Sequence, residues 1–514
     1  MEAVVEAAAV QQGVRCARPS GVGATPYPAA VPSIGDVLNL LARVPVPADG
    51  AGMIEQIRGL EDLKSLAGAR QADTAVAFDL SQRREQAEAG VPADERGAGV
   101  AAQIALARRE SPARGSRLLG LAKTLTGMPH TFQAFRTGLL SEWRATLIVK
   151  DTICLSSPDR AGVDEELAAD TGALDGLGDR AIIAAVRAAA YRRDPASVTK
   201  RASRAMGERC VSLRPAPDTM TYLTALLPAA QGVAAYAALC RDADTARSNG
   251  DHRPRGQVMA DTLVERVTGT PGGINGVQIQ LVMTDHTLLQ AGAEPARLPG
   301  YGTIPAEQAR TIALTGGSPV ATAPAAGPAG AEELKLWVRR LYTAPGTGEL
   351  VAMDSTARLF PAGLKRFLQV RDDTCRTPYC DAPIRHHDHI AAWHHSGPTT
   401  AGNGQGLCEA CNHTKETPGW TAKAVPGPRH TVATCTPTGH TYHSTAPPLP
   451  GTGMGKRLNE QLLHGESSPP CPPARTLSVQ VLGRVLPSEP VRRPAEPERR
   501  HNELRTRRRE RAAP

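Results

Sequence analysis

The chain has 514 residues, a formal net charge of +8, an apolar share of 41% and only 3% aromatic residues. That length accommodates two or more domains with cores of their own, and the aliphatic bias favours closely packed, Ala-rich helices. No window approaches the roughly eighteen consecutive apolar residues of a membrane span, and Glu6 interrupts the short apolar run at the start, so neither a membrane segment nor a secretory signal is expected. The expected location is therefore cytoplasmic.

Residues 1–30 lack a sustained period and are expected to be disordered. A mainly helical domain is expected over 31–315. Asp36 can cap a turn ahead of Val37, Leu38, Leu40 and Leu41. A second helix follows from Ile54, Ile57, Leu60, Leu63 and Leu66, whose three-residue steps drift around one face, and runs through Leu80 until Gly90 and Pro92 end it. Further helices are expected between Ala101 and Leu155, with Trp143 and Leu147 on an apolar side. Ser157-Pro158 reads as a capped helix start, with Asp164 and Glu165 in its early turns, where the helix dipole favours them. Another helix spans Asp179 to Arg193 and is closed by Asp194-Pro195. Cys210–Leu213 and Met220–Leu226 read as a short strand pair. Helix returns over Gln231–Ala246 and Gln257–Val267, and the alternation in Val277–Thr284 is that of a strand.

An Ala/Pro/Gly linker is expected over 316–332. Residues 333–445 should hold a hairpin (Leu336–Tyr342 with Leu350–Met353), a short helix over Pro361–Val370, and a small cysteine-bearing domain with its core at 371–422. The tail, 446–514, is rich in Pro and Arg and expected to be disordered. From Arg492 onward it carries nine Arg against four Glu. Such a run raises affinity for phosphate-rich partners or is simply a solvated tail.

The chemistry concentrates between Cys375 and Trp420. Four of the ten cysteines lie here in two close pairs, Cys375/Cys380 and Cys408/Cys411. Two such knuckles can present four thiolates tetrahedrally, the ligand set of a structural zinc, whereas the remaining cysteines are scattered singly. Between the pairs stand Asp388 and His389, a carboxylate suited to a hard cation beside an imidazole suited to activating water. A strand over Arg385–Trp393 would point these neighbours to opposite faces, so a kink or bulge is expected if both serve one site. Asn403 sits in a Gly-rich loop, and Asn412-His413 follows the second knuckle directly. Trp393 and Trp420 read as core of the small domain.

This stretch resembles the HNH nuclease module, a zinc-stapled ββα-metal fold. The resemblance implies His389 as general base, Asn403 as the residue orienting it, and Asp388 and Asn412 as ligands of a catalytic divalent ion such as Mg²⁺. Asn412 stands where the commonest form has His, and His413 is a substitute ligand. Lys415, Arg376 and Arg385 would face nucleic acid. The runs LYTAPGTGELVAMDSTARLFPAGLKRFLQVRD, LPGYGTIPAEQAR and VSLRPAPDTMTYLTALLPAAQ further resemble the bacterial 13E12-repeat proteins, which join a helical domain of unknown function 222 to a C-terminal HNH module. The resemblance implies a metal-dependent DNA endonuclease, with RNA left open as a substrate. The alternative is a zinc-containing DNA-binding or interaction protein with weakened catalysis. The oligomeric state is not legible.

Overall fold

The computed structural model describes residues 33–170, 172–269, 278–315, 335–341, 354–355, 359–427, 429–451 and 476–482. The chain divides into two compact units: Met1–Pro228 with Thr343–Thr452, and Ala229–Tyr342 with Gly453–Pro514. The division thus cuts the expected 31–315 domain after Pro228. The 316–332 linker, the strand expected at Leu350–Met353 and the expected disorder of 1–30 fall outside the described residues.

Helix α1 (Ile34–Leu41) opens on a capping box: Ser33 accepts from the Asp36 amide while the Asp36 carboxylate accepts from the Ser33 amide. Asp49 caps α2 (Gly50–Glu88). The packing face of α2 is the small-residue stripe Ala69, Ala72 and Ala75, whereas Ile54, Ile57, Leu60 and Leu66 are exposed. Expectation and structure differ here because the α2 positions facing the bundle must let neighbouring helices approach closely. At Gly68 an added Cβ would lie 2.9 Å from the buried Phe135 ring.

Around this stripe pack α3 (Val100–Ala107), α4 (Pro112–Leu125), α5 (Pro129–Arg136), α6 (Glu142–Thr152), α7 (Ser157–Ala168) and α8 (Asp179–Arg193). They enclose Leu125, Met128, Phe135, Ile148, Ile182 and Val186. The cap of α7 is Ser156, one residue before the expected position. Asp164 serves a different helix from the one expected. Fully buried, its carboxylate accepts the His130 and Thr131 amides at 2.8 Å each and so caps α5 from a distance. Trp143 is exposed rather than apolar-facing, its Nε1 donating to Asp179. Asp194 both ends α8 and caps α9 (Pro195–Ala205), accepting from the Ser197 amide. The hairpin β1 (Cys210–Pro215) and β2 (Thr221–Leu226) pairs in unbroken antiparallel register.

In the second unit, α10 (Ala229–Ser248) and α11 (Arg255–Thr268) pack together, joined by Arg255–Asp244 and Arg266–Asp242 ion pairs. Then come β3 (Gln278–Thr284), α12 (Asp285–Leu289), β4 (Ala296–Leu298), β5 (Gly302–Ile304), α13 (Ala306–Thr315) and β6 (Lys335–Leu341). The expected first hairpin strand is thus present as β6. Among the described residues, however, its partner comes from the far end of the chain.

Returning to the first unit, the chain forms β7 (Asp354–Ser355), α14 (Ala362–Asp372), β8 (His386–His389), β9 (Thr399–Thr400), β10 (Gly404–Leu407) and α15 (Glu409–Lys415). A three-stranded meander follows, β11 (Thr421–Val425), β12 (Thr431–Cys435) and β13 (Thr441–Thr445). Helix α14 lies on β10, β8 pairs antiparallel with β10, and β7 with β9. Trp420 is buried against the helical bundle, where a Cβ at Gly99 (φ +77) would meet its Nε1 at 2.7 Å. Thr438 donates to Gln103 at 2.9 Å across the same junction.

The last described strand corrects the expectation for the tail. β14 (Thr476–Leu482) runs antiparallel between β3 and β6 in a sheet of order β5-β4-β3-β14-β6. Its alternation TLSVQVL is the strand signal within a stretch whose Pro and Arg content points the other way. Among the described residues, no helix is long and apolar enough to cross a membrane.

Candidate metal centre and adjoining cleft

The four cysteines converge. Cys375, Cys380, Cys408 and Cys411 are all buried, and their Sγ atoms lie within 4.8 Å of one another. Local backbone geometry forces this arrangement. Tyr379 adopts φ +63, a left-handed turn that brings Cys380 back towards Cys375. In the second knuckle the Cys411 amide donates to Cys408 Sγ at the N-terminus of α15. Crowding makes three of the sulfurs, those of Cys375, Cys380 and Cys411, interdependent in their protons. Hydrogen bonds from Cys380 and Cys411 hold the Cys375 thiol well below its ordinary value, while the bond to Cys375 pushes the Cys380 thiol up. A metal ion such as zinc at their centre removes the need for those shared protons.

A charged network missed in the sequence braces this frame. Arg371 and Asp372, at the end of α14, are both buried. Arg371 donates to Asp372 through Nε at 2.7 Å and Nη2 at 3.0 Å, and to the carbonyls of Ala401 at 2.6 Å and Gly404 at 2.7 Å. Asp372 also accepts the Gly406 amide at 2.8 Å. The available signal was an Arg-Asp pair terminating an apolar helix just ahead of the first knuckle. Arg376 belongs to the same network. It is buried, donates to the carbonyls of His430 and Ser444, and stands 3.7 Å from Asp372, so it does not face a ligand path. Burial draws its guanidinium below the ordinary value, against the opposing pull of Asp372.

Beside the cysteines lies an open cleft of about 580 Å³, whose lining includes Asp388, His389, His387, Arg385, Lys365 and Lys415. The β8–β10 register runs Gly404↔His389 to Leu407↔His386 without the expected bulge. Asp388 and His389 share the cleft because β8 ends at His389. Asp388 meets α15, whereas the His389 ring packs on Phe360 with centroids 4.5 Å apart and contacts Thr399 Oγ1 at 2.9 Å. The Thr399 hydroxyl can serve either tautomer. Accepting from Nε2–H, it makes Nδ1 the basic nitrogen; donating to Nε2, it leaves the proton on Nδ1.

Asn403 works through the backbone. Its side chain accepts the Ala391 amide at 2.9 Å and donates to the carbonyls of Ala391 and Pro398 at 3.0 and 2.8 Å, while its own carbonyl accepts the Ile390 amide at 2.7 Å. It thus clamps the loop that leaves His389 and returns to Thr399.

Lys415 turns inward rather than outward. Its Nζ donates to the His389 carbonyl at 2.6 Å and lies 2.5 Å from Asp388 Oδ2, out of line for a hydrogen bond but close enough for an ion pair. Asn412 stands one turn earlier on α15, on the same side as Lys415. It does not line the cleft, and its Oδ1 is buried without a hydrogen-bond partner. His413 is exposed and faces the His386 ring at 6.4 Å. Arg385 is exposed on the cleft wall, as is Trp393, which was expected in the core. His387 Nε2 is buried without a hydrogen-bond partner; burial, and secondarily Lys365, lowers its pKa.

The family model for the Domain of unknown function (DUF222) matches residues 60–340, more than half of the chain, and the chain belongs to that family. Searches of curated proteins and of solved structures gave no match.

Proposed function

We propose that the cleft beside the cysteine cluster is the active site of a metal-dependent endonuclease that hydrolyses phosphodiester bonds of DNA. The observation that carries this reading is the adjacency of Asp388 and His389 at the end of β8, on a frame of two antiparallel strands and a helix stapled by four cysteines. The carboxylate and the imidazole line one cleft, with Arg385 and Lys365 beside them to attract phosphate.

His389 takes a proton from water at its basic ring nitrogen, held in place by Phe360 and Thr399. Asn403 is a positioning residue that fixes the loop behind that imidazole. Asp388 would supply one hard oxygen donor and Asn412 a second; Asn412 Oδ1 is buried without a hydrogen-bond partner, whereas Asp388 Oδ2 is ion-paired with Lys415, which an arriving cation would displace. A divalent ion such as Mg²⁺ held there would supply positive charge to stabilise the developing charge on phosphate and leaving group.

Mn²⁺ titration followed by electron paramagnetic resonance tests the assignment without relying on turnover. One site should appear in the wild type, disappear in Asp388→Ala and weaken in Asn412→Ala. Unchanged Mn²⁺ binding in both variants would remove Asp388 and Asn412 from the metal site.

One observation favours a second reading, a zinc-containing DNA-binding protein with weakened catalysis. Lys415 already neutralises Asp388 from 2.5 Å and stands where a cation would have to approach. That reading expects DNA retention and bound zinc with no Mn²⁺ site and no cleavage.

A further inference from the structure

We infer that the cleft accepts a DNA strand whose base is unstacked beside the target phosphate, with Trp393 and Leu359 as the shoulder on which that base rests. This rests on the reading of the cleft as a phosphodiester site. The cleft lining is chemically mixed. It includes Asp388, His389 and Arg385, suited to phosphate and its counter-charge, and Trp393 and Leu359, which are 49% and 75% exposed and come from separate parts of the chain to the same opening. Scattered apolar residues on a surface need no explanation, but two converging on the mouth of a polar cleft match the two faces of a nucleotide.

The indole is presented on a stiff platform. Trp393 opens a short 3₁₀ turn, Trp393–His395, followed by Ser396 in the left-handed conformation. The Gly397 amide closes the turn on the Ala392 carbonyl at 3.2 Å, and a Cβ at Gly397 would lie 1.9 Å from the Ala391 carbonyl oxygen. Asn403 clamps the residues on either side. A backbone held this way need not be ordered again when a base stacks on the side chain it carries, so more of the contact is expressed in binding. In an intact duplex the bases are stacked inward and cannot reach the indole. The preferred substrate is therefore single-stranded DNA, or duplex opened at the site.

The test is fluorescence anisotropy with the full chain and no added divalent cation, using one labelled oligonucleotide as a single strand and annealed as a duplex. The wild type should bind the single strand more tightly. Trp393→Ala should weaken single-strand binding about 5- to 100-fold, more than it weakens duplex binding, and Trp393→Phe should restore most of the loss. Unchanged far-ultraviolet circular dichroism and zinc content in Trp393→Ala would exclude a folding defect. Equal affinity of wild type and Trp393→Ala for the single strand, a parallel loss on both substrates, or no binding to either would overturn the inference. The binding assay involves no cleavage. Loss of strand preference alongside His389-dependent cleavage overturns this inference alone, whereas strand preference without His389-dependent cleavage overturns the hydrolase reading alone.

Discussion

Replacing Asp372 with alanine should loosen the strand and loop that carry the cleft. The carboxylate is fully buried and accepts two hydrogen bonds from Arg371 and one from the Gly406 amide, with Arg376 3.7 Å away. Removing it leaves the Arg371 guanidinium buried without its counter-ion. Breaking one side of such a pair costs about 3–5 kcal/mol. Arg371 also holds the Ala401 and Gly404 carbonyls on either side of Asn403, so the loss falls on the loop behind His389. Hydrogen–deuterium exchange of the peptide spanning Gly404–Leu407 reads this locally. At about 1.4 kcal/mol per tenfold, exchange there should accelerate about 100- to 5,000-fold, with the helical bundle little changed. An acceleration below about tenfold would refute the claim that Asp372 balances a buried charge.

Serine at Cys375, Cys380, Cys408 or Cys411 should abolish stoichiometric zinc by elemental analysis, whereas Cys435→Ser, whose thiol lies outside the cluster, should retain it. Asp164→Ala uncovers the part-buried His130 amide and the buried Thr131 amide at the start of α5 and should lower the stability of the helical bundle by about 2–3 kcal/mol in urea unfolding. His430 is held neutral in the fold, its pKa lowered to about 4 chiefly by burial and next by Arg371, while its Nε2 bonds the Gly402 carbonyl. The unfolded chain then binds the extra proton between about 6.5 and 4. Stability should fall by up to about 3 kcal/mol as pH drops through that window, and His430→Gln should flatten the dependence.

The cysteine cluster was legible because its determinants are local. Cys375/Cys380 and Cys408/Cys411 lie within a turn of each other, and their spacing leaves few geometries. Asp388, His389 and Asn403 lie near one another for the same local reason, sitting on one short strand and the loop that returns to it, while their roles belong to the proposal. Other features depended on partners far away in sequence. Arg376 and Lys415 read as cations for a ligand, yet Arg376 is committed to Asp372 and to the Ser444 carbonyl, and Lys415 to Asp388. Charge alone does not reveal whether a buried acceptor waits inside. Strand β14 was missed because its stability comes from β3 and β6, both more than a hundred residues away. The exposed start of α2 was misread because periodicity marks an apolar face without marking what covers it.

The proposed role of Asp388 and His389 is that of a phosphodiesterase site. It is tested most directly by the initial rate of supercoiled plasmid nicking with Mg²⁺ or Mn²⁺, compared between the wild type and His389→Ala at equal zinc content. Metal-dependent nicking is expected of the wild type, with a loss of about 100-fold or more in the variant, the scale of general-base catalysis. Equal rates in the two proteins, or no nicking by either with any divalent metal, would contradict it.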